Sequence, residues 1–239
     1  MAKHGKKYRD AAEKIDETKE YSANEAIVLL KEIASANFDE TVELHIRTGL
    51  DTRHADQQLR GTIVLPHGLG KSQRILVFAE GEAARLAEDA DADEVGGDPL
   101  VKKVGDGYLD FDVALATKEM MGKVGKLGRI LGPRGLMPNP RTNTVVNGED
   151  LPRAIKDAKQ GRVEFRTDRT HLVHVSVGKI SFSEEALAEN LASLLDAIRR
   201  EKPTGSKGHY IRTLTLTTTM SPGIRMDLSA FGVGAVADN

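Results

Sequence analysis

The segment whose residue types most suggest a chemical role is Gly68-Leu69-Gly70-Lys71-Ser72, which has the composition of a phosphate-binding loop. Such a loop needs a further glycine five positions before Gly70, and that position is Leu65. A helix must also begin directly after the loop, whereas residues 73–79 have the apolar pattern of a strand. The sequence therefore predicts a turn here and does not support a nucleotide-binding loop.

Side chains that bind metals or act as nucleophiles give no site either. The chain has no Cys, so disulfides, thiolate nucleophiles and cysteine metal sites are excluded. His171 and His174 are close in sequence, but side chains three positions apart on a strand point to opposite faces. No Ser, His and Asp set has an informative spacing. We expect a non-enzymatic protein without catalytic residues, metal or cofactor.

A glycine-rich and basic segment over residues 121–142 is the most unusual part of the chain. It reads MGKVGKLGRILGPRGLMPNPRT, and its glycines do not match the spacing of a dinucleotide loop. Its three prolines exclude a long regular helix. We predict a constrained loop with exposed backbone amides and with four cations that could contact RNA: Lys123, Lys126, Arg129 and Arg134. Residue types alone leave an ordinary surface loop equally open.

Charge is unevenly distributed, although the net charge is only −2. Residues 80–98 are strongly acidic, with Arg85 as their single cation, and residues 118–141 are strongly basic. A second basic cluster contains Arg199, Arg200, Lys202, Lys207, His209 and Arg212. Phosphates respond to local fields that are screened beyond about 10 Å, so the near-neutral total does not exclude nucleic acid.

The hydropathy of the chain indicates a water-soluble protein, and its 239 residues are enough for two modest domains or one large one. No apolar run reaches the roughly 20 residues that span a bilayer. The basic first nine residues lack the apolar stretch of a signal peptide. We expect a cytoplasmic location with no membrane partner, and a disordered tail over residues 230–239, which is rich in Gly and Ala.

Both ends of the chain have the pattern of an antiparallel sheet with one exposed face. Ser22 and Glu25 form a capping box for a helix that ends near Ala36. Ser183 caps another helix. Apolar and polar residues alternate in five predicted strands, at 41–47, 62–65, 162–166, 171–177 and 210–220, of which the third and fourth should form a hairpin.

The middle of the chain has a different pattern. Residues 75–79 and 113–116 are short, continuous apolar runs, as expected of parallel strands buried on both faces, and helical segments lie between them. We therefore predict an α+β fold with an inserted α/β domain. Residues 1–67 and 160–239 form a discontinuous antiparallel-sheet domain, and residues 68–159 form an inserted, Rossmann-like, three-layer domain. Two chain crossings favour hinge motion over free tumbling.

The segment Gly125-Lys126-Leu127-Gly128-Arg129-Ile130-Leu131-Gly132-Pro133-Arg134-Gly135-Leu136-Met137-Pro138-Asn139-Pro140 resembles the characteristic motif of the ribosomal L-one family, in its bacterial form. The similarity extends to Phe38-Asp39-Glu40-Thr41-Val42-Glu43, to the Pro66–Lys71 region, to Gly161–Arg166 and to Thr217-Thr218-Thr219-Met220. It covers almost the whole chain. The resemblance implies the same two-domain fold that the patterns predict.

The resemblance also implies an RNA contact surface on the discontinuous domain. It comprises Phe38, Thr41, Thr213, Thr219, Met220 and Ser221. The hydroxyl row of the last strand suits ribose and phosphate oxygens, although Thr is also a common strand former on any exposed face. By residue type alone, Phe38 is more consistent with a core position than with an RNA contact. The family usually has Gly where this chain has Ser221, which leaves the local geometry open.

The function implied by the resemblance is that of a structural protein of the large ribosomal subunit. It would bind large-subunit ribosomal RNA at the mobile stalk beside the tRNA exit site and assist release of deacylated tRNA. It would also repress translation by binding the leader of its own messenger RNA. The competing interpretation is a nucleotide-using α/β enzyme, which would bind its ligand at the ends of the parallel strands.

Overall fold

A computed structural model describes residues 5–206 and 208–228. In chain order, its helices are α1 Lys6–Ala12, α2 Ala23–Ile33, α3 Glu82–Asp89, α4 Asp98–Gly105, α5 Met121–Val124, α6 Gly128–Leu131, α7 Leu151–Lys159 and α8 Glu184–Arg200. Its strands are β1 Thr41–Thr48, β2 Arg60–Val64, β3 Ile75–Phe78, β4 Glu94–Gly96, β5 Val113–Thr117, β6 Val145–Val146, β7 Arg162–Arg166, β8 Leu172–Lys179, β9 Ile211–Thr218 and β10 Ile224–Met226. The tail at 230–239 and Lys207 of the second basic cluster lie outside the described residues.

The chain forms two compact units. The terminal unit combines the chain up to Gly70 with the chain from Val163 onward, and the inserted unit is Lys71–Arg162. Both boundaries lie three residues later than those predicted at 67/68 and 159/160. No described helix is long and apolar enough to cross a membrane.

The terminal unit is built on an antiparallel sheet in the order β10-β9-β1-β8. Alternation along β1 buries Val42, Leu44 and Ile46 on one face, where they share a core with apolar residues of α2 and α8. The predicted capping box of α2 is present, with both Ser22 and Glu25 bonded as expected. The other face of the sheet carries polar side chains, so the sheet is open on that side.

The predicted hairpin between the third and fourth strands is wrong. β7 pairs with β2 in a separate two-stranded sheet, and β8 pairs with β1 over seven residue pairs. Pairing of β8 with β1 is favoured over pairing with β7 because β8 has eight residues, as β1 does, and adds its buried valines to the same core. Between β7 and β8, Asp168 accepts backbone hydrogen bonds from Thr170 and Leu172 and closes a turn.

The inserted unit is a parallel sheet in the order β4-β3-β5-β6 with helices on both faces. Leu76 and Phe78 face one core, and Ile75 and Val77 face another that includes apolar residues of α7. This three-layer arrangement, together with the antiparallel sheet from both chain ends, confirms the predicted fold class. β4 and β6 were not predicted, since three and two residues are too short to show a period.

The predicted loop at 121–142 is wrong for its first half. α5, a 3₁₀ turn over Gly125–Leu127 and α6 follow one another without a break. Met120, Val124, Leu127 and Leu131 recur at steps of three and four and are buried in one core. The backbone amides here are therefore engaged in helical turns, and only the proline-rich second half is irregular.

The turn after β2 is held from inside the terminal unit. Gly68 and Gly70 both have positive φ. A strand, and not a helix, follows at Ile75, as expected for a turn that is not a phosphate-binding loop. Asn190 of α8, which has no exposed surface, accepts the His67 N–H at 3.0 Å and donates to the Gly68 carbonyl at 3.1 Å. This buried amide fixes the last residues before the first crossing.

Candidate nucleic-acid interface

A buried carboxylate, that of Glu40, joins the two chain segments that carry most of the predicted contact residues. Glu40 is 1% exposed. Its Oε1 accepts the Ala36 N–H at 3.0 Å, on the segment before β1. Its Oε2 accepts the Thr218 hydroxyl at 2.6 Å and the Met220 N–H at 3.0 Å, at the end of β9. One side chain thus fixes two loops that are some 180 residues apart in sequence.

The surroundings of Glu40 favour the charged form of its carboxyl. Burial is the largest single influence and raises the pKa of this carboxyl. The hydrogen bonds from Thr218, Ala36 and Met220 together outweigh burial, so the pKa is lower than the ordinary value of 4.5. A negative charge fixed by several donors is a strong positional constraint.

Two large apolar side chains project from the loops that Glu40 joins. Phe38 is 55% exposed and Met220 is 58% exposed. Across the described residues only two other large hydrophobic side chains, Val28 and Val64, are classed as exposed. Phe38 is therefore not a core residue, and both side chains are available to pack against a partner.

Hydrogen bonds of Thr41, beside these side chains, connect the start of β1 to Thr219 after β9 and to Lys179 at the end of β8. The Thr41 N–H donates to Thr219 Oγ1 at 3.2 Å. Thr41 Oγ1 accepts from the Lys179 ammonium at 2.8 Å, so a cation from the end of β8 lies within the group. Because both hydroxyl oxygens act as acceptors, both O–H groups stay available to donate to a ribose or phosphate oxygen.

The Ser221 hydroxyl points inward. Its Oγ lies 2.6 Å from Thr218 Oγ1, whose own proton goes to the Glu40 carboxylate, so Ser221 is the donor in this pair. The φ of Ser221 is not positive, so the backbone here does not require the glycine that the family usually has. We call Phe38, Glu40, Thr41, Thr219, Met220 and Ser221 the Glu40 patch.

Thr213 is not part of the Glu40 patch. It lies near the start of β9, opposite Arg47 of β1, on the open face of the sheet. Thr215 and Thr217 follow on the same face, and the Thr217 hydroxyl donates to the Ser221 carbonyl at 3.1 Å. The predicted hydroxyl row thus exists over Thr213, Thr215 and Thr217, whereas Thr219 lies beyond the strand.

The four predicted cations of the inserted unit differ in availability. Lys123 is held by Asp98 at 2.8 Å and by Glu80 at 3.0 Å, and these two hydrogen-bonded carboxylates raise its pKa. Lys126, Arg129 and Arg134 are exposed, and none of them forms an ion pair with another described residue. Three of the four cations are therefore free to meet a phosphate.

The ends of the parallel strands do not have the features of a nucleotide site. Glu80 follows β3, and Asp98 is the first residue of α4, where a nucleotide phosphate would approach the sheet edge. Both carboxylates are directed to the single cation Lys123. The local charge therefore opposes a phosphate, which disfavours the enzyme interpretation.

Sequence reasoning assigned no role to Glu40 or Lys179. A glutamate before a strand is usually solvated, and its burial follows only from the pairing of β1 with β9. Lys179 is 138 positions from Thr41 and meets it only because β8 pairs with β1. No local pattern contains either fact.

A family model described as "Ribosomal protein L1p/L10e family" matches residues 30–222. This span includes both halves of the Glu40 patch and the whole inserted unit. The chain therefore belongs to the class of ribosomal proteins that are structural and non-enzymatic.

Three relatives are similar over almost the full chain. "Large ribosomal subunit protein uL1" of Dehalococcoides mccartyi (strain BAV1) is 56% identical over 96% of this chain and 97% of its own length. The proteins of the same name from Chloroflexus aggregans and Thermomicrobium roseum are each 54% identical over 96% of this chain, and over 98% and 95% of their own lengths. The chain belongs to the ribosomal protein L1p/L10e family and is of the bacterial type.

Proposed function

We propose that this chain is a structural constituent of the large ribosomal subunit in the cytoplasm, and that its Glu40 patch binds large-subunit ribosomal RNA. The observation that supports this most is the pair of exposed apolar side chains, Phe38 and Met220, on loops fixed by one buried carboxylate. Fixed loops lose little conformational freedom on binding, which favours affinity. Nearby hydroxyl donors and the Lys179 ammonium suit a sugar–phosphate backbone.

The inserted unit supplies a second, weaker RNA contact in this proposal. Lys126, Arg129 and Arg134 would meet phosphates without reading sequence. Lys123 would contribute less, because Asp98 and Glu80 already hold its charge.

The finer roles follow from the family resemblance. Bound at the mobile stalk near the tRNA exit site, the protein would assist the release of deacylated tRNA. The leader of its own messenger RNA would compete for the Glu40 patch and so allow the free protein to repress translation. Competition between leader and ribosomal RNA for one site is the measurable form of this second role.

The direct test measures binding of the purified full chain to a fragment of large-subunit RNA from the stalk region, over a range of salt concentrations. Phe38→Ala should weaken binding by about 1–3 kcal/mol, the cost of removing a ring that stacks on a base or ribose. Thermal stability should change little because the ring is already more than half exposed. Met220→Ala should weaken binding in the same direction.

Val28→Ala is the matched control, since it also truncates an exposed apolar side chain, on α2 and outside the patch. It should bind like the wild type. Absence of binding by the wild-type chain at low salt would refute the proposal. Equal affinities for the Phe38 and Val28 variants would refute the assignment of the surface. Titration with ATP and NAD tests the enzyme interpretation, which predicts saturable heat.

A further inference from the structure

A polar cavity lies at the end of the terminal sheet opposite to the Glu40 patch. Its volume is about 370 Å³, and it is open to solvent and lined by the end of β1, the turn before β8 and the start of β9. The side chains that define its chemistry are Arg47, Asp51, Arg53, Thr170, His171 and Arg212. All of them belong to the terminal unit.

Three of the residues that line this cavity are arginines without an ion-pair partner among the described residues. Arg47, Arg53 and Arg212 are exposed, and no carboxylate in the described ranges lies within 4.0 Å of their charged nitrogens. Asp51 is the single carboxylate in the lining; it accepts the Arg53 backbone N–H at 3.1 Å and lies 4.0 Å from His54 Nε2. The cavity therefore has an excess of two positive charges, with the His residues counted as neutral.

A β-bulge brings Arg212 to this position. Arg47 pairs with Thr213, but the next residue, Thr48, pairs with Ile211, so Arg212 has no partner in the ladder. By simple alternation Arg212 would share the buried face of Leu214 and Leu216. The extra residue re-aims its side chain into the cavity, as bulges beside binding sites commonly do.

The walls of the cavity are fixed by close backbone contacts. The His171 carbonyl accepts both the N–H and the hydroxyl of Thr48, at 3.0 and 2.8 Å, and these bonds hold His171 at a φ of +66°. Such left-handed conformations outside glycine concentrate at ligand sites. On the other side, a Cβ at Gly49 would lie 2.1 Å from the His209 carbonyl oxygen, so only glycine admits this approach.

We propose that this cavity binds a backbone phosphate of the RNA, held by the guanidinium groups of Arg47, Arg53 and Arg212. Guanidinium forks match phosphate oxygens, and three unpaired ones around one cavity form a site for one phosphate. The inference rests on the proposed function, because it extends the RNA contact along the sheet. The length of β1, about 23 Å, separates the cavity from the Glu40 patch and is spanned by several nucleotides.

The proposed site also accounts for the position of Thr213, one of the predicted RNA contacts outside the Glu40 patch. It is the ladder partner of Arg47 and the chain neighbour of Arg212, and its hydroxyl lies on the open face between the cavity and the patch. An RNA strand that runs from the Glu40 patch to the cavity would pass it.

The test compares the full-length wild type with R47Q, R53Q, R212Q and the triple variant, using the stalk RNA fragment and an unrelated structured RNA. The plot of log Kd against log salt should lose about one unit of slope in the triple variant, as expected when one phosphate contact disappears. Affinity should fall by a similar factor for both RNAs, since a phosphate carries no sequence. R85Q removes an exposed arginine in the acidic stretch and is the matched control; its slope should equal that of the wild type.

Inorganic phosphate, titrated without RNA, separates the two sources of the same chemistry. If the triple variant keeps the wild-type slope but loses saturable phosphate binding, the cavity binds a free anion and the RNA assignment is overturned. If neither property changes, the cavity is not an anion site. Failure of the wild type to bind any ribosomal RNA would instead refute the proposed function, so the two failures are distinguishable.

Discussion

At the scale of single residues, the buried Glu40 carboxylate organises the proposed interface. It is itself buried, yet its hydrogen bonds fix the loops of Phe38 and Met220. Exposed contact residues are visible in a sequence through resemblance to a family. A residue that positions them from beneath becomes visible only when its hydrogen bonds are known.

Replacing Glu40 with Gln should weaken both folding and RNA binding. The amide keeps the shape but loses the charge, and hydrogen bonds to a charged group contribute about 1.5–3 kcal/mol. The free energy of unfolding should fall by that order, and RNA affinity should fall with it because Met220 loses its anchor. Denaturant unfolding and RNA binding of Glu40→Gln beside Glu32→Gln, an exposed control, check this.

The pH dependence of the difference in stability between the wild type and Glu40→Gln follows from the lowered pKa of Glu40. A carboxyl whose folded pKa lies below its unfolded value stabilises the fold above the unfolded value. The stability gap between wild type and Glu40→Gln should be full above pH 4.5 and shrink as pH falls further, through the folded pKa. A gap that stays constant down to the acid limit of folding would contradict an ionised Glu40.

Ser221→Gly should hold or raise RNA affinity. The Ser221 hydroxyl donates inward to Thr218 and not outward, so its loss removes no RNA contact, and a smaller residue permits closer backbone approach. Stability should fall by about 1 kcal/mol for the lost internal hydrogen bond. A marked drop in affinity with unchanged stability would show that the hydroxyl contacts RNA.

At the scale of elements, prediction succeeded where one segment contains its own signal. The capping box predicted the start of α2, where Ser22 and Glu25 are bonded reciprocally, and Ser183 caps α8 as predicted. Prediction failed where partners are distant, as with β7 and β8, or where glycines obscured a helical period, as at 121–131. The buried Val124, Leu127 and Leu131 show that this period was present in the sequence.

The capping box offers a test at this scale. Ser22→Ala removes the hydroxyl oxygen that accepts the Glu25 N–H at 3.4 Å and that donates to Glu25 Oε2 at 3.0 Å, whereas the Ser22 backbone N–H can still donate to Glu25 Oε2. The free energy of unfolding should fall by about 0.5–2 kcal/mol. Ser193→Ala, within α8 and not at a cap, should cost little. Equal effects of the two substitutions in denaturant unfolding would contradict a capping role.

At the scale of the whole molecule, the two units have separate cores. The terminal core includes Leu44 of β1, and the inserted unit has one core on each face of its parallel sheet. The two patterns, alternating at the ends and continuously apolar in the middle, were enough to predict this division of the chain into sheet types. Arg212 belongs to a basic cluster that the sequence shows, but its position beside Arg47 and Arg53 was not predictable, because the bulge and the left-handed His171 have no sequence signal.

Separate cores predict separate effects. Leu115→Ala, at a fully buried position of β5, should destabilise the inserted unit by about 2–5 kcal/mol. RNA affinity measured below the first unfolding transition should change little, because the Glu40 patch lies in the terminal unit. Leu44→Ala should instead destabilise the terminal unit and lower affinity. Hydrogen exchange resolved by segment would assign each loss; a loss of affinity in Leu115→Ala alone would contradict the assignment.

The discontinuity of the terminal unit has a consequence for biosynthesis. β1 leaves the ribosome early, whereas its partners β8 and β9 are translated more than 120 residues later. The parallel-sheet unit between them ends at Arg162, so it is translated before β8 and β9 and is free to fold first. Glu40 obtains its Thr218 and Met220 partners only after the segment that follows α8 has been translated. A polypeptide that terminates before these residues therefore lacks the hydrogen bonds that fix the Glu40 patch. We expect that only chains with a complete terminal unit compete for assembly into the ribosome.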